Sequence, residues 1–242
     1  MCYEQDKQKH TVSTDGDELI IRLDDQRRWF ERLFSFGSPN ITVYLPADEY
    51  GALNIRSSTG DVSLPADFAF DSVTVAADTG DVSCEAAVSG DVNIALSTGN
   101  IRFMGKTAGS LALTVSTGHI TVENTAVTGD VSAAVSTGKT AMTNVTCDGF
   151  TSTGSTGDIA LTDVVASGTL SVERDTGDVT FTRCDAAELD VKTDTGDVTG
   201  SLRSEKFFFA KSDTGRVDVP ETLTGGKCKV ETDTGKIVLT VG

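Results

Sequence analysis

The stretch DTGDVTFTRCDAAELDVKTDTGDV, residues 175–198, decides the fold. Asp175-Thr176-Gly177-Asp178-Val179 returns as Asp194-Thr195-Gly196-Asp197-Val198, 19 residues later. Working outward, the same Thr-Gly turn followed by an apolar or β-branched residue is centred on Gly60, Gly80, Gly99, Gly118, Gly138, Gly157, Gly177, Gly196, Gly215 and Gly235. Every spacing is 19 or 20 residues. A period in this range marks stacked repeats, each too small to bury its own apolar face.

Aligned on the glycine, apolar residues recur seven and five positions before it, as in Val92 and Ile94 or Leu111 and Leu113. They recur two and four positions after it, as in Ile101 and Phe103 or Ile120 and Val122. Alternation with period two on both sides predicts two short strands, each with one buried face. The glycine supplies the positive φ of the corner between them. Thr125, Val145, Val164 and Cys184, seven positions after it, suggest a third inward slot, and Gly90, Gly109, Gly129, Gly149 and Gly168 mark a return loop. No repeat has helical periodicity. The expected fold is all-β: one single-domain β-helix, a parallel β-solenoid of about ten coils covering residues 51–242. It is expected to be right-handed, as parallel crossovers generally are.

Residues 1–50 lack the repeat. His10–Leu23 reads as a hairpin around Asp15-Gly16, and Ile41–Leu45 as a strand stopped by Pro46. Between them Trp29, Phe30, Leu33 and Phe34 fall on one helical stripe, with Asp24 or Asp25 as N-cap and Gly37 as stop. This segment is expected to cap the open end of the first coil, since an exposed edge templates aggregation. Its sharper reading is a basic-aromatic contact for a membrane or partner protein through Trp29, Phe30 and Phe34.

The formal charge of −16 argues against nucleic acid or anionic lipid as a general partner. The chain holds no 18-residue apolar run. Met1-Cys2-Tyr3-Glu4-Gln5-Asp6 has no apolar signal-peptide core, which keeps a cytoplasmic location as the alternative to an envelope one. Five irregularly spaced cysteines with two histidines make neither a disulfide framework nor a zinc site. Cys84, Cys184 and Cys228 fall in inward slots and read as core; Cys147, before Asp148-Gly149, reads as partly exposed.

The Asp-Thr-Gly triplets tempt toward an aspartic protease, but Ser-Thr-Gly replaces them at Ser58, Ser97, Ser116, Ser136 and Ser155. A role that serine and aspartate share is turn capping through a backbone N–H two residues on. His119, just after a corner glycine, reads as a solvated corner residue. Asp175, Asp178, Asp194 and Asp197 are expected at one corner of adjacent coils, where calcium or the nearby Arg216 and Lys236 would relieve repulsion. No catalytic, metal or cofactor site is expected. No tryptophan or tyrosine follows Tyr50, so a sugar-stacking groove is hard to build.

The Ile41–Pro46 segment, Ser57-Ser-Thr-Gly-Asp-Val62, and the coils of Ser/Asp-Thr-Gly-x-Val/Ile together resemble a family of bacterial domains of unknown function labelled as adhesins, over about residues 10–242. The resemblance implies a β-helix on or near the cell envelope, in some relatives linked to envelope stress, with no catalytic residues to transfer. An anchoring segment often precedes this region there, so the chain is expected to be either a soluble fragment or a variant lacking that anchor, with membrane proximity through the upstream segment. The expected function is a non-catalytic interaction or adhesion module for an unknown protein or glycan. The alternatives are a carbohydrate-active β-helix enzyme and a structural or regulatory protein that oligomerises through its solenoid ends.

Overall fold

The computed structural model describes residues 8–25, 42–46 and 48–242. The chain divides into two compact units, Met1–Ala47 and Asp48–Gly242. In the first, Gln8–Asp15 and Glu18–Asp25 form an antiparallel hairpin whose turn includes Gly16 at φ 60°. Asp24 and Asp25 pair with Lys9 and Gln8, so they complete a strand. Residues 42–45 carry no strand, which corrects that expectation: they join no ladder among the described residues. Trp29, Phe30 and Phe34 lie outside the described residues.

The second unit is a parallel β-solenoid, and every regular element among the described residues is a strand. The strand before each corner glycine pairs in register with its equivalent one repeat away; Val73, Val92, Leu111, Val131, Phe150, Leu170 and Leu189 stack in one file. The strand after the glycine stacks likewise, through Val82, Ile101, Ile120, Thr140, Ile159, Val179 and Val198. Both files are buried, because a one-residue slip would turn the apolar set into water. A third inward file lies three residues before the glycine, at Ala77, Leu96, Val115, Val135 and Thr193.

The second corner comes six residues after the glycine. Asn124, Asn144, Asp163 and Arg183 adopt left-handed φ values of 51–54°. Such a residue turns the chain and inserts one outward position, so the next inward slot comes at Thr125, Val145, Val164 and Cys184. Asparagine and aspartate tolerate this conformation because the short side chain bonds locally. Asn144 Nδ2 donates to Asn124 Oδ1 at 3.0 Å, and Asp163 holds both Arg183 and Arg203.

The corner glycines answer to two constraints. Gly177 sits at φ 147°, and a Cβ there would lie 2.2 Å from the carbonyl oxygen of Gly157. Successive corners stack backbone on backbone.

The last two coils break sequence order. Gly226–Thr234 pairs on one side with Val179–Thr195 and on the other with Lys206–Ser212. Ile237–Val241 likewise lies between Val198–Leu202 and Val217–Asp218. The coil of Gly235 is therefore inserted between those of Gly196 and Gly215. The chain steps over a vacant level at residues 203–205 and returns through 219–225 to fill it. Two levels are about 10 Å, within the roughly 14 Å that four residue steps can span. The edge of the stack is therefore the coil of Lys206–Asp218, and the C-terminal strand lies inside the stack.

Two buried cations accompany these irregularities. Lys206, 3% exposed, donates from Nζ to Asp185 Oδ1, the Ala186 carbonyl and Ser204 Oγ, each at 2.7 Å. Its ladder partner is Gly226, where an added Cβ would lie 1.8 Å from the Ala187 carbonyl oxygen. Arg174 fills the inward slot beside Gly154 and is 1% exposed. Its Nη1 donates to the Val135 carbonyl at 2.9 Å, while Nε has no partner. A Cβ on Gly154 would fall 1.9 Å from that Nη1.

Phe103 is fully buried over Gly105. Phe103→Ala is expected to cost about 3–5 kcal/mol in a denaturant titration, the usual range for a buried aromatic. A cost below about 1 kcal/mol would place the ring outside the core.

Candidate functional site

The feature repeated most faithfully on the surface is the first corner. Its Ser/Asp and Thr positions are exposed in every coil, and the threonines stack in register from Thr59 to Thr195 and on to Thr234. The result is one continuous stripe of hydroxyls and carboxylates along the solenoid.

The residue just after the glycine has a defined job. Asp61 Oδ1 accepts the Asp81 backbone N–H at 2.8 Å, Asp81 accepts that of Asn100 at 2.8 Å, and Asn100 accepts that of His119 at 3.1 Å. His119 Nδ1 accepts that of Lys139 at 3.0 Å. Lysine has no acceptor, and the file restarts at Asp158, which accepts from Asp178 at 3.3 Å and pairs with Lys139 Nζ at 2.8 Å. Asp178 accepts from Asp197 at 2.8 Å and Asp197 from Lys236 at 2.9 Å. Where this residue is Asp, Asn or His, the coil thus satisfies an N–H of the next; His119 is solvent-exposed as expected and is also a member of this ladder.

The residue two before the glycine does not cap the turn. Among the described residues no backbone N–H donates to the side chain of Ser58, Asp78, Asp175 or Asp194. Asp194 has only a long ion pair to Lys192, 3.9 Å. Serine and aspartate interchange here because the position is solvent-exposed.

The four candidate calcium ligands do fall on adjacent coils, since Thr176 pairs with Thr195. They are not a cage. Among the described residues no three His, Cys, Asp or Glu side chains come together as a metal site. The inserted coil brings Lys236 to Asp197, Nζ to Oδ2 3.1 Å, while Arg216 pairs with Asp218. Lys236, not Arg216, is therefore the neighbouring cation. Melts in millimolar calcium and in chelator should coincide, because calcium wants six to eight converging oxygens. A rise of several degrees, lost in Asp178→Asn, would reveal a bound ion.

The ladder shifts its carboxylates. The Lys236 backbone N–H, then its ammonium, holds Asp197 below the usual carboxylate range. The hydrogen bond from Lys139 does the same for Asp158, and Arg183 and then Arg203 do so for Asp163. For Asp185, burial pushes the carboxyl up, but hydrogen bonds from Lys206 and Ser204 outweigh it and the net direction is down. Groups depressed in the folded state stabilise it above their unfolded pKa of about 3.9 and lose that contribution as pH falls through the folded value. The melting temperature should therefore drop as pH falls below about 4. Asp163→Asn, which keeps a residue suited to left-handed φ, should flatten part of the drop.

The four cysteines among the described residues are buried free thiols. Burial pushes Cys84 and Cys147 up to about 11 and Cys228 to about 12. Cys184 is raised for the same reason. Cys147 is buried, a correction to its expected partial exposure: it closes the strand Thr140–Cys147 on an inward position.

Sequence reasoning missed the left-handed corner, Arg174 and Lys206. The recurrent Asn and Asp six residues after the glycine signalled the first. Gly154, level with Arg174 one repeat earlier, signalled the second: it leaves a vacancy next to a long cation.

The Toastrack DUF4097 family matches residues 2–134 and again 126–242. The chain belongs to that family, a domain of unknown function. No curated protein and no solved structure matches it.

Proposed function

We propose that this chain is a non-catalytic interaction module of the bacterial cell envelope that engages a protein or glycan through its first-corner stripe. The observation that carries the reading is the stripe itself: the same exposed hydroxyl and carboxylate pair recurs coil after coil, on a backbone that rigid stacking holds. A periodic surface suits an extended or repetitive partner, because each added contact is intramolecular once the first has formed. The carboxylates just after the glycine are tied to backbone N–H groups of the next coil, a scaffold role. Those two before it have no such duty and are available to a cationic or hydroxyl-rich partner.

The experiment is a glycan array together with binding to isolated envelope fractions, comparing the wild type with Asp78→Ser, Asp175→Ser and Asp194→Ser combined. Serine already occupies this position in other coils, so the melting temperature should hold while binding weakens. Binding that is absent, or indifferent to the three substitutions, would defeat the reading. Turnover of a glycan lost with one of these carboxylates would favour the enzyme alternative.

A further inference from the structure

We propose that the end coil, Lys206–Asp218, is the surface through which two copies of this chain associate, end to end, about a twofold axis passing near Phe209. In the solenoid unit every exposed large hydrophobic residue lies on this coil or the loop that follows it: Phe207, Phe209, Val217 and Leu223, the last 90% exposed. Leu223 lines a hollow of about 440 Å³ together with Phe208, Val219, Pro220, Glu221 and Thr222. Half-buried Phe208, Ala210 and Val219 top the core there with no further coil above them among the described residues.

The edge is open. Lys206–Ser212 pairs on one side only, with Gly226–Thr234. Thr222 Oγ1 donates to the Lys206 carbonyl and blunts the first position, but from Phe207 to Lys211 the outer edge has no ladder partner among the described residues. Such an edge templates pairing with another strand.

Charge selects what can approach. Residues 48–199 hold 22 Asp and Glu against 7 Lys and Arg, whereas residues 200–242 hold 6 against 7. A second copy meets strong net repulsion along the body, at −15, and little at this end, at +1.

The edge is also complementary to itself. Antiparallel pairing centred on Phe209 sets Phe207 opposite Lys211, Phe208 opposite Ala210, and Phe209 opposite its own copy. Residues directly opposite share a face. The inward pair is large against small, so it extends the core without overfilling it. The outward pairs join aromatic rings to each other and to a lysine stem, as Lys227 already sits 6.0 Å from the Phe209 ring. Phe207 and Phe209 stand edge to face at 4.8 Å, ready to be covered. An isologous contact of this kind closes at two copies and does not propagate.

The test uses the full chain in sedimentation and light scattering from low micromolar to several hundred micromolar. A concentration-dependent dimer is expected. Phe209→Asp, at a half-exposed outward position, should keep the melting profile and weaken the dimer on the order of tenfold or more, by placing two carboxylates face to face on the axis. In a Cys2→Ser background, Phe209→Cys should form a symmetric disulfide under mild oxidation, and Thr74→Cys on the solenoid body should not. A monomer at every concentration overturns the proposal. So does a dimer that persists in Phe209→Asp, or one that cross-links as readily through the body.

Discussion

Removing residues 226–242 is expected to unfold the end of the solenoid well beyond the segment deleted. In a sequential stack the last repeat is a terminal coil, and losing it would shorten the rod by one unit. Here it is a filling between two others. Among the described residues Lys206–Ser212 has no ladder partner except Gly226–Thr234, and Val217–Asp218 none except Ile237–Val241. The deletion strips out the buried Cys228, Val230, Ile237 and Leu239, each a side chain whose burial contributes about 1.5–3 kcal/mol. It also uncovers the apolar residues on the neighbouring edge. Near 2–4 °C per kcal/mol for a chain of this size, the melting temperature should fall by more than about 10 °C. Trypsin gives the sharper readout: Lys206, Lys211 and Arg216 should become cleavable in the truncated protein and be protected again when a peptide of residues 226–242 is supplied. Continued protection without the peptide would mean that the coils stack in sequence order.

That insertion was not legible in the sequence, and the reason is physical. Periodicity reports which residues face inward, because the pleat forces alternation, but every coil carries the same period. The glycine spacings of 19 and 20 residues around Gly215 and Gly235 are those of the other repeats, so they carry no information on which coil neighbours which. What distinguishes the end coil is its departures: Lys206 at a buried position, three consecutive phenylalanines, and Pro220 in the return. The core was legible for the opposite reason. Val92, Ile94, Ile101 and Phe103 are buried and Asp91, Asn93, Asn100 and Arg102 are exposed, as alternation requires. The corner was legible in outline only. Glycine was assigned to positive φ, but the exchange of serine for aspartate was credited with turn closure, whereas the acceptor is the residue after the glycine and its donor belongs to the next coil. A hydrogen bond between residues 19 or 20 apart leaves no local sequence signature beyond a polar acceptor at the right place.

The corner glycines should show that stacking, and not torsion alone, excludes a side chain from these sites. Gly60 opens the array at φ 123° with nothing within 4 Å of an added Cβ. Gly60→Ala is therefore expected to incur only the conformational cost, about 1–3 kcal/mol for a backbone that L-residues rarely adopt. Gly177 has the same kind of torsion, φ 147°, but its Cβ would meet the Gly157 carbonyl oxygen at 2.2 Å and carbon at 2.6 Å. Neither is the end of a flexible side chain, so relief requires moving a backbone that is hydrogen-bonded on both sides. The displacement would pass onward, because Gly196 rests on Gly177 with only 2.0 Å between its own Cβ position and the carbonyl oxygen below. Gly177→Ala should consequently exceed Gly60→Ala by at least about 2 kcal/mol, and Gly177→Val, adding a branched side chain that is stiff at χ1, should exceed about 4 kcal/mol in total. Denaturant midpoints of the three variants measure both terms. Equal losses at Gly60 and Gly177 would show that adjacent corners yield freely, and the reading of the corner as backbone packed on backbone would fail.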